Sequence, residues 1–166
     1  MKKLFAAVLL TSLLALAPVA AQTGTVAVGP IYSLALYDLV QSPLQGLGIT
    51  GKIPGLVPIF GLNFKLDNQE KYYFVGITAD WLLYKQPLYE PFNLNFYLGP
   101  GFYSSLVVAP KSRFDAGLRI PVGLNWVPLK FFEVFAELTP AFGITFQDPI
   151  QPAWIFQSAL GARVWF

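Results

Sequence analysis

The strongest constraint on the fold is a strict alternation of apolar and polar residues, clearest between residues 113 and 127. Every second position there is apolar, and the intervening positions are mostly polar or glycine. The apolar set is Phe114, Ala116, Leu118, Ile120, Val122, Leu124 and Trp126. A β-strand sends successive side chains to opposite faces, whereas a helix would spread these residues around its circumference. The segment is therefore predicted to be a strand with one apolar and one polar face.

Similar alternation along the rest of the chain predicts eight strands. They are placed at about residues 24–37, 46–53, 56–66, 72–84, 92–103, 113–127, 132–143 and 153–166. The predicted connections are Asp38 to Gln45, Pro54-Gly55, Asp67 to Glu70, Lys85 to Pro91, Pro110 to Ser112, Pro128 to Lys130, and Gln147 to Pro152. Most strands reach the roughly 9–11 residues that a tilted membrane strand needs. An even number of long strands with short turns predicts an all-β, antiparallel, up-and-down transmembrane barrel.

The first residues have the pattern of a cleavable signal peptide. A basic start at Met1-Lys2-Lys3 precedes an apolar run from Leu4 to Leu16, and small residues follow up to Ala21. The run is shorter than the roughly 20 residues of a membrane-spanning helix. We therefore expect residues 1–21 to be removed on export and residues 22–166 to form the barrel.

Composition excludes several functional classes. Only 12% of residues are charged, against about 25% in soluble domains. Loss of Lys2 and Lys3 with the signal peptide reduces the 11 basic residues to 9, equal to the 9 acidic ones, so no basic face for nucleic acid is expected. The chain has no cysteine and no histidine. Neither an enzymatic role nor a metal or other cofactor is expected, because the commonest bases and metal ligands are missing.

The charged residues of the predicted strands all share the polar parity, which suggests a lumen filled by paired side chains. The members of this predicted charge network are Lys52, Lys65, Asp80, Asp115, Arg119, Glu133, Glu137 and Arg163. Glu133 and Glu137 would be about 13 Å apart on one strand, too far for a paired-carboxylate catalytic site. We expect Arg119 to pair with Glu133 or Glu137. A gated polar path through the lumen is the alternative.

Aromatic residues near the strand ends predict two interfacial belts. Trp81, Tyr84, Trp126 and Phe132 are expected at one membrane surface, which is periplasmic if the N-terminus is, and Trp154 near the opposite one.

The last strand carries the most specific pattern. Leu160, Ala162, Val164 and the final Phe166 share one parity. This resembles the terminal strand of bacterial outer-membrane proteins, and the whole mature chain resembles in pattern the small barrels of the OmpX and OmpW type and the OmpA membrane domain. The resemblance implies that these four residues form a signal read by the barrel-assembly machinery. It also implies an outer-membrane location, with lipid as the main partner, and a monomer is expected.

Prolines are the feature that fits least well. Pro30, Pro58, Pro100, Pro121 and Pro140 fall within predicted strands, where a closed barrel has no free edge to accommodate them. We expect bulges, and a slip in the alternation, near these positions.

The expected function is a non-enzymatic envelope protein with a structural or surface-interaction role and a mostly plugged lumen. Two alternatives stay open: a narrow conduit for small or hydrophobic molecules, and a soluble periplasmic lipid-binding barrel with an apolar interior.

Overall fold

A computed structural model describes residues 26–37, 44–53, 58–68, 72–110 and 112–166. The predicted signal peptide lies outside the described residues. The strands are β1 (Ala27–Tyr37), β2 (Leu44–Lys52), β3 (Pro58–Asp67), β4 (Tyr72–Trp81), β5 (Tyr84–Tyr89), β6 (Leu94–Leu98), β7 (Gly101–Val108), β8 (Arg113–Arg119), β9 (Val122–Leu129), β10 (Phe132–Phe146) and β11 (Gln151–Trp165).

These strands form one closed antiparallel barrel. Its order is β1, β2, β3, β4, β7, β8, β10 and β11, and β11 pairs with β1 to close it. The remaining three elements extend members of this ring, because β5 continues β4, β6 leads into β7, and β9 continues β8. The predicted all-β barrel of eight up-and-down strands is therefore confirmed.

Three of the eight long strands are interrupted at neighbouring positions, residues 82–83, 99–100 and 120–121. Proline explains two of these breaks, because Pro100 and Pro121 have no N–H to donate to the ladder. Each still accepts one bond from the preceding strand, Pro100 from Trp81 N–H at 2.9 Å and Pro121 from Gly99 N–H at 3.3 Å. Pro140 likewise accepts from Ile120 at 3.0 Å. Proline therefore removes part of the ladder without opening the wall.

The expected slip in alternation does not occur at Pro100, Pro121 or Pro140, and at Pro58 it stays a prediction, because residues 54–57 lie outside the described residues. Inward and outward positions keep the same parity through Pro100, Pro121 and Pro140. The parity changes at residues 82–83 instead, since Asp80 is buried opposite Gly101 whereas Tyr84 is exposed opposite Leu98.

The prediction of a connection from Lys85 to Pro91 is wrong. Residues 84–89 form β5, which pairs with β6, and the actual turn is a short 3-10 segment at Glu90–Phe92. Asn93 follows with φ 50°, a left-handed conformation that asparagine tolerates better than most residues. The predicted connection from Pro128 to Lys130 also begins later than expected, because Pro128 belongs to β9. Among the described residues, no helix is long and apolar enough to cross a membrane.

The two faces of the wall differ as the alternation predicts. Large apolar side chains of the outer face are exposed, among them Leu47, Phe60, Leu62, Val75, Ile77, Phe102, Leu118, Leu124, Leu138, Phe142 and Ile144. The buried inner face holds the charged residues of the wall and is mixed in character. Its polar and charged members include Thr50, Asn63, Asp80, Asp115, Arg119, Asn125, Glu133, Thr139, Thr145 and Arg163, and its apolar members include Ile31, Ile59, Phe74, Val107 and Ile155. Polar groups inside and apolar groups outside are what a lipid-facing barrel requires.

Candidate functional site: the barrel interior

Within the part of the chain that the structure describes, the charged side chains of the interior form three separate clusters. One lies near the end of the barrel where Val26 and Phe166 pair, which we call the terminal end. There Arg163 donates to Glu133 at 2.8 Å, and its Nε and Nη2 donate to Thr50 Oγ1 at 3.1 and 3.0 Å. Trp165 Nε1 also donates to Glu133, at 3.2 Å. The guanidinium therefore bonds to β10 and to β2, the two strands that flank the adjacent pair of β11 and β1.

The second cluster, centred on Arg119, spans half of the barrel. Arg119 Nε lies 2.9 Å from Asp80 Oδ1, and Nη2 donates to Glu137 Oε1 at 2.6 Å. Nη1 donates to Gln157 Oε1, also at 2.6 Å. Asp80 on β4 and Gln157 on β11 are four strand positions apart in a ring of eight, so they stand on opposite walls. One arginine thus braces the barrel across its interior.

The third cluster lies towards the other end of the barrel, where β10 ends at Phe146 and β11 begins at Gln151. We call this the loop end. Asp115 accepts hydrogen bonds from Thr145 at 2.6 Å and Ser105 at 3.2 Å, which are its direct neighbours on β10 and β7. Arg113 Nε lies 3.3 Å from the same carboxylate. This buried carboxylate is thereby surrounded by donors, as a charge removed from water requires.

The two lysines of the predicted network contact aromatic rings. Lys52 Nζ lies 5.2 Å from the ring centre of Trp165, and Lys65 Nζ lies 5.5 Å from that of Tyr72. Both distances fit cation–π contacts. The structure therefore divides the eight predicted residues into three clusters and two lysines. Arg119 contacts Glu137, while Glu133 is bound by Arg163.

Glycines on intervening strands let the long side chains reach these partners. Gly101 lies between Arg119 and Asp80 in the cross-strand register, and Gly123 lies between Tyr97 and Glu137. Tyr97 crosses Gly123 and donates its hydroxyl to Glu137 Oε2 at 2.9 Å. A side chain at either glycine would occupy the path of its neighbour. The glycines at inward-facing positions therefore leave the room that these long side chains need.

Aromatic rings occupy much of the remaining interior, a feature that the sequence reasoning missed. Tyr103 and Phe135 are each only 2% exposed, and Tyr97 is 4% exposed. The Phe135 ring lies against Gly161 and beneath the Arg163 guanidinium, whose carbon is 3.9 Å from the ring centre. The alternation of the sequence could have revealed them, because all three aromatic residues occupy the same alternating positions of their strands as the inward-facing glycines and charged residues.

Space within the clusters yields a testable prediction at Gly123. A Cβ there would lie 2.5 Å from Tyr97 Cζ and 2.8 Å from the Ala136 carbonyl oxygen. We expect Gly123→Ala to lower the free energy of unfolding by about 1–3 kcal/mol through overpacking. The measurement is urea unfolding of the folded protein in detergent, followed by tryptophan fluorescence.

The matched control is Gly51→Ala. At this glycine the nearest atom to a new Cβ is the Ala27 carbonyl oxygen at 3.8 Å, an ordinary contact. Its effect should stay within about 0.5 kcal/mol. Equal losses in the two variants would contradict the role assigned to Gly123.

The residues of the two predicted belts lie on the outer wall. Trp81, Tyr84 and Trp126 are exposed, and Phe132 begins β10 next to the turn at the terminal end. Trp154 lies near the start of β11 towards the loop end, 4.7 Å from the Phe142 ring centre. Contact with a membrane surface stays a prediction for these side chains.

The terminal strand is paired on both sides. Leu160, Ala162 and Val164 pair with β10 residues, and Leu160 and Val164 also pair with β1. Leu160 is 59% exposed on the outer face. Phe166 exchanges backbone hydrogen bonds with Val26. Recognition of these four residues by assembly machinery likewise stays a prediction.

Comparison with known proteins finds similarity in structure alone. No family model matches the sequence, and no curated protein matches it. The crystal structure of Neisserial surface protein A (NspA) is similar with a TM-score of 0.50 and 16% identity, over 85% of this chain and 96% of that one. Ail, the attachment invasion locus protein of Yersinia pestis, has a TM-score of 0.41 and 14% identity, over 86% and 97%.

The chain has the fold of the small outer-membrane β-barrels. The apolar outer face and this fold together support the predicted outer-membrane location. Within the described residues, no group of three or more histidine, cysteine, aspartate or glutamate side chains is arranged to hold a metal ion.

Proposed function

We propose that this protein is a non-enzymatic integral outer-membrane barrel with a structural or surface-interaction role, its lumen closed by its own side chains. The observation that carries the proposal is the Arg119 cluster, which joins Asp80 and Gln157 on opposite walls. Such a brace makes the barrel wall rigid and fills the centre of the barrel. A buried ion pair of this kind contributes little net stability, so its value lies in fixing one arrangement of the strands.

The size of the cavity beside the Arg119 cluster supports a closed lumen. The cavity lined by Asn63, Thr78, Asp80, Tyr103 and Arg119 has a volume of about 50 Å³. One water needs roughly 10–15 Å³ of such space, so the cavity suits a few waters better than a passing solute.

The experiment that tests this proposal is conductance of the purified protein in planar lipid bilayers. We expect no steady ion current, because the Arg119 and Arg163 clusters obstruct the lumen at two levels. A porin incorporated in the same way is the positive control. A reproducible current that rises with the number of inserted molecules would overturn the closed lumen.

A narrow conduit for small or hydrophobic molecules is the second candidate, because the same cavity is lined by apolar side chains, among them Ile31, Ile59 and Phe74, beside its polar ones. The conductance experiment addresses the small polar solutes. A soluble periplasmic lipid-binding barrel is disfavoured, because such a protein would face water with a polar outer wall, whereas here the outer wall exposes many large apolar side chains and the buried charges lie inside.

A further inference from the structure

Asp80 differs from the other carboxylates of the interior, because one of its oxygens has no partner among the residues that the structure describes. Each of the other three has a hydrogen-bond donor at both oxygens: Glu133 has Arg163 and Trp165, Glu137 has Arg119 and Tyr97, and Asp115 has Thr145 and Ser105. Asp80 contacts Arg119 Nε through Oδ1 at 2.9 Å, whereas its Oδ2 has no hydrogen bond or ion pair with a described residue. Only 5% of Asp80 is exposed, so bulk water does not replace the missing partner.

The Arg119 cluster also carries one more negative charge than positive charge. Its single guanidinium contacts two carboxylates, Asp80 and Glu137. The other two clusters each pair one arginine with one carboxylate: Arg163 with Glu133, and Arg113 with Asp115. A buried charge is costly unless it is paired or bound to a metal ion. The surplus carboxylate therefore favours one additional positive charge beside Asp80.

The cavity next to Asp80 has the oxygen atoms and the space that a small cation needs. Its lining includes the side chains of Ser33, Thr78 and Asp80. Ser33 Oγ donates its hydrogen to Asn63 Oδ1 at 2.9 Å, so the lone pairs of this hydroxyl stay available to a cation. Gly61 leaves room beside Thr78, because a Cβ at this glycine would lie 2.5 Å from Thr78 Oγ1. The volume of about 50 Å³ has room for a small ion with a few waters, since one water needs roughly 10–15 Å³.

We propose that this cavity binds one monovalent metal cation of about the size of sodium. Asp80 Oδ2 is its charged ligand, and the hydroxyl oxygens of Ser33 and Thr78 are its neutral ligands. Hard cations prefer oxygen ligands, so such a site needs neither histidine nor cysteine. A monovalent ion balances the surplus charge of the Arg119 cluster, whereas a divalent ion would leave the cluster positive. The proposal goes beyond the structural role of the barrel and does not depend on whether the lumen conducts.

The test compares urea unfolding and refolding of the whole protein, in detergent, in sodium chloride and in choline chloride. Choline is too large for the cavity and keeps the ionic strength constant, and refolding in each salt lets the ion enter before the barrel closes. An ion that binds only the folded state lowers the equilibrium constant for unfolding. We expect this constant to fall about tenfold as sodium replaces choline from about 5 to about 500 mM, which corresponds to a dissociation constant of about 50 mM.

Three variants locate the effect of sodium. Asp80→Asn removes the charged ligand and should abolish the difference between the two salts. Thr78→Val keeps the shape of the side chain, removes its hydroxyl and should reduce the response to about threefold or less. Glu90→Gln neutralises an exposed carboxylate in the 3-10 segment and should keep the full response. If Asp80→Asn does not refold, the comparison of Thr78→Val with Glu90→Gln decides.

The proposal is overturned by equal stability in the two salts, by a sodium response that persists in Asp80→Asn, or by equal responses of Thr78→Val and Glu90→Gln. A proton on Asp80 in place of the cation would also overturn it. The protein would then lose stability as the pH is raised from about 6 to about 9, equally in sodium and in choline.

Discussion

Replacing Arg119 with methionine is expected to destabilise the barrel more than any other single change inside it. The substitution keeps much of the side-chain volume and removes the charge that holds Asp80 and Glu137. Both carboxylates would then be buried without their partner, and breaking such a buried pair costs about 3–5 kcal/mol. The measurement is the free energy of unfolding in urea, with the protein in lipid vesicles.

Two controls separate the effect of charge from that of packing. Lys130→Gln removes a positive charge from an exposed turn and should leave stability within about 0.5 kcal/mol of the original. The triple change Arg119→Met, Asp80→Asn and Glu137→Gln should recover part of the loss, because no unpaired charge is left. An unchanged unfolding curve for Arg119→Met would show that the cluster does not brace the wall.

The second large effect is expected on the outer face, at Leu118. This side chain lies in β8, next to Arg119, and is 70% exposed. If the face meets lipid, Leu118→Arg should cost about 2–4 kcal/mol in a bilayer, since a charge near the midplane is taken out of water. Unfolding from vesicles measures this loss.

Ile150→Arg is the matched control for Leu118→Arg. Ile150 is 67% exposed in the connection before β11, at the loop end, where the cost should be about 0–1 kcal/mol. On a soluble barrel both substitutions would change stability by about 0.5 kcal/mol or less. Similar small effects at the two positions would therefore argue against a membrane-facing wall.

Alternation was sufficient to predict the barrel and its two faces. Residues 113–127 keep their period of two through Pro121, so the inward position of Asp115 and Arg119 could be read directly from parity. The ion-pair partner of each charged residue could not be predicted in this way. Arg119 reaches Asp80 across Gly101 on the intervening strand, and this contact depends on the relative register of three strands. Register is a tertiary property that no single segment encodes.

For β5, the local sequence pattern led to a wrong prediction. Its sequence, Tyr-Lys-Gln-Pro-Leu-Tyr, has no regular alternation and contains Pro87, so local pattern favours a connection. Pairing with β6 and ring contacts across the hairpin give it extended structure nonetheless. Tertiary contacts here outweigh local propensity, as they commonly do in sheets.

Closure of the ring by β1 and β11 has a consequence for how the chain folds. The strands that seal the barrel come from opposite ends of the described chain, so their contacts have the greatest possible sequence separation. Bringing such distant segments together costs loop-closure entropy before any stabilising contact between them has formed. Proteins rich in such contacts therefore fold slowly. Until β11 is in place, both β1 and β10 have open edges. We therefore expect barrel formation to be late and cooperative, with closure of this last seam as its slow step.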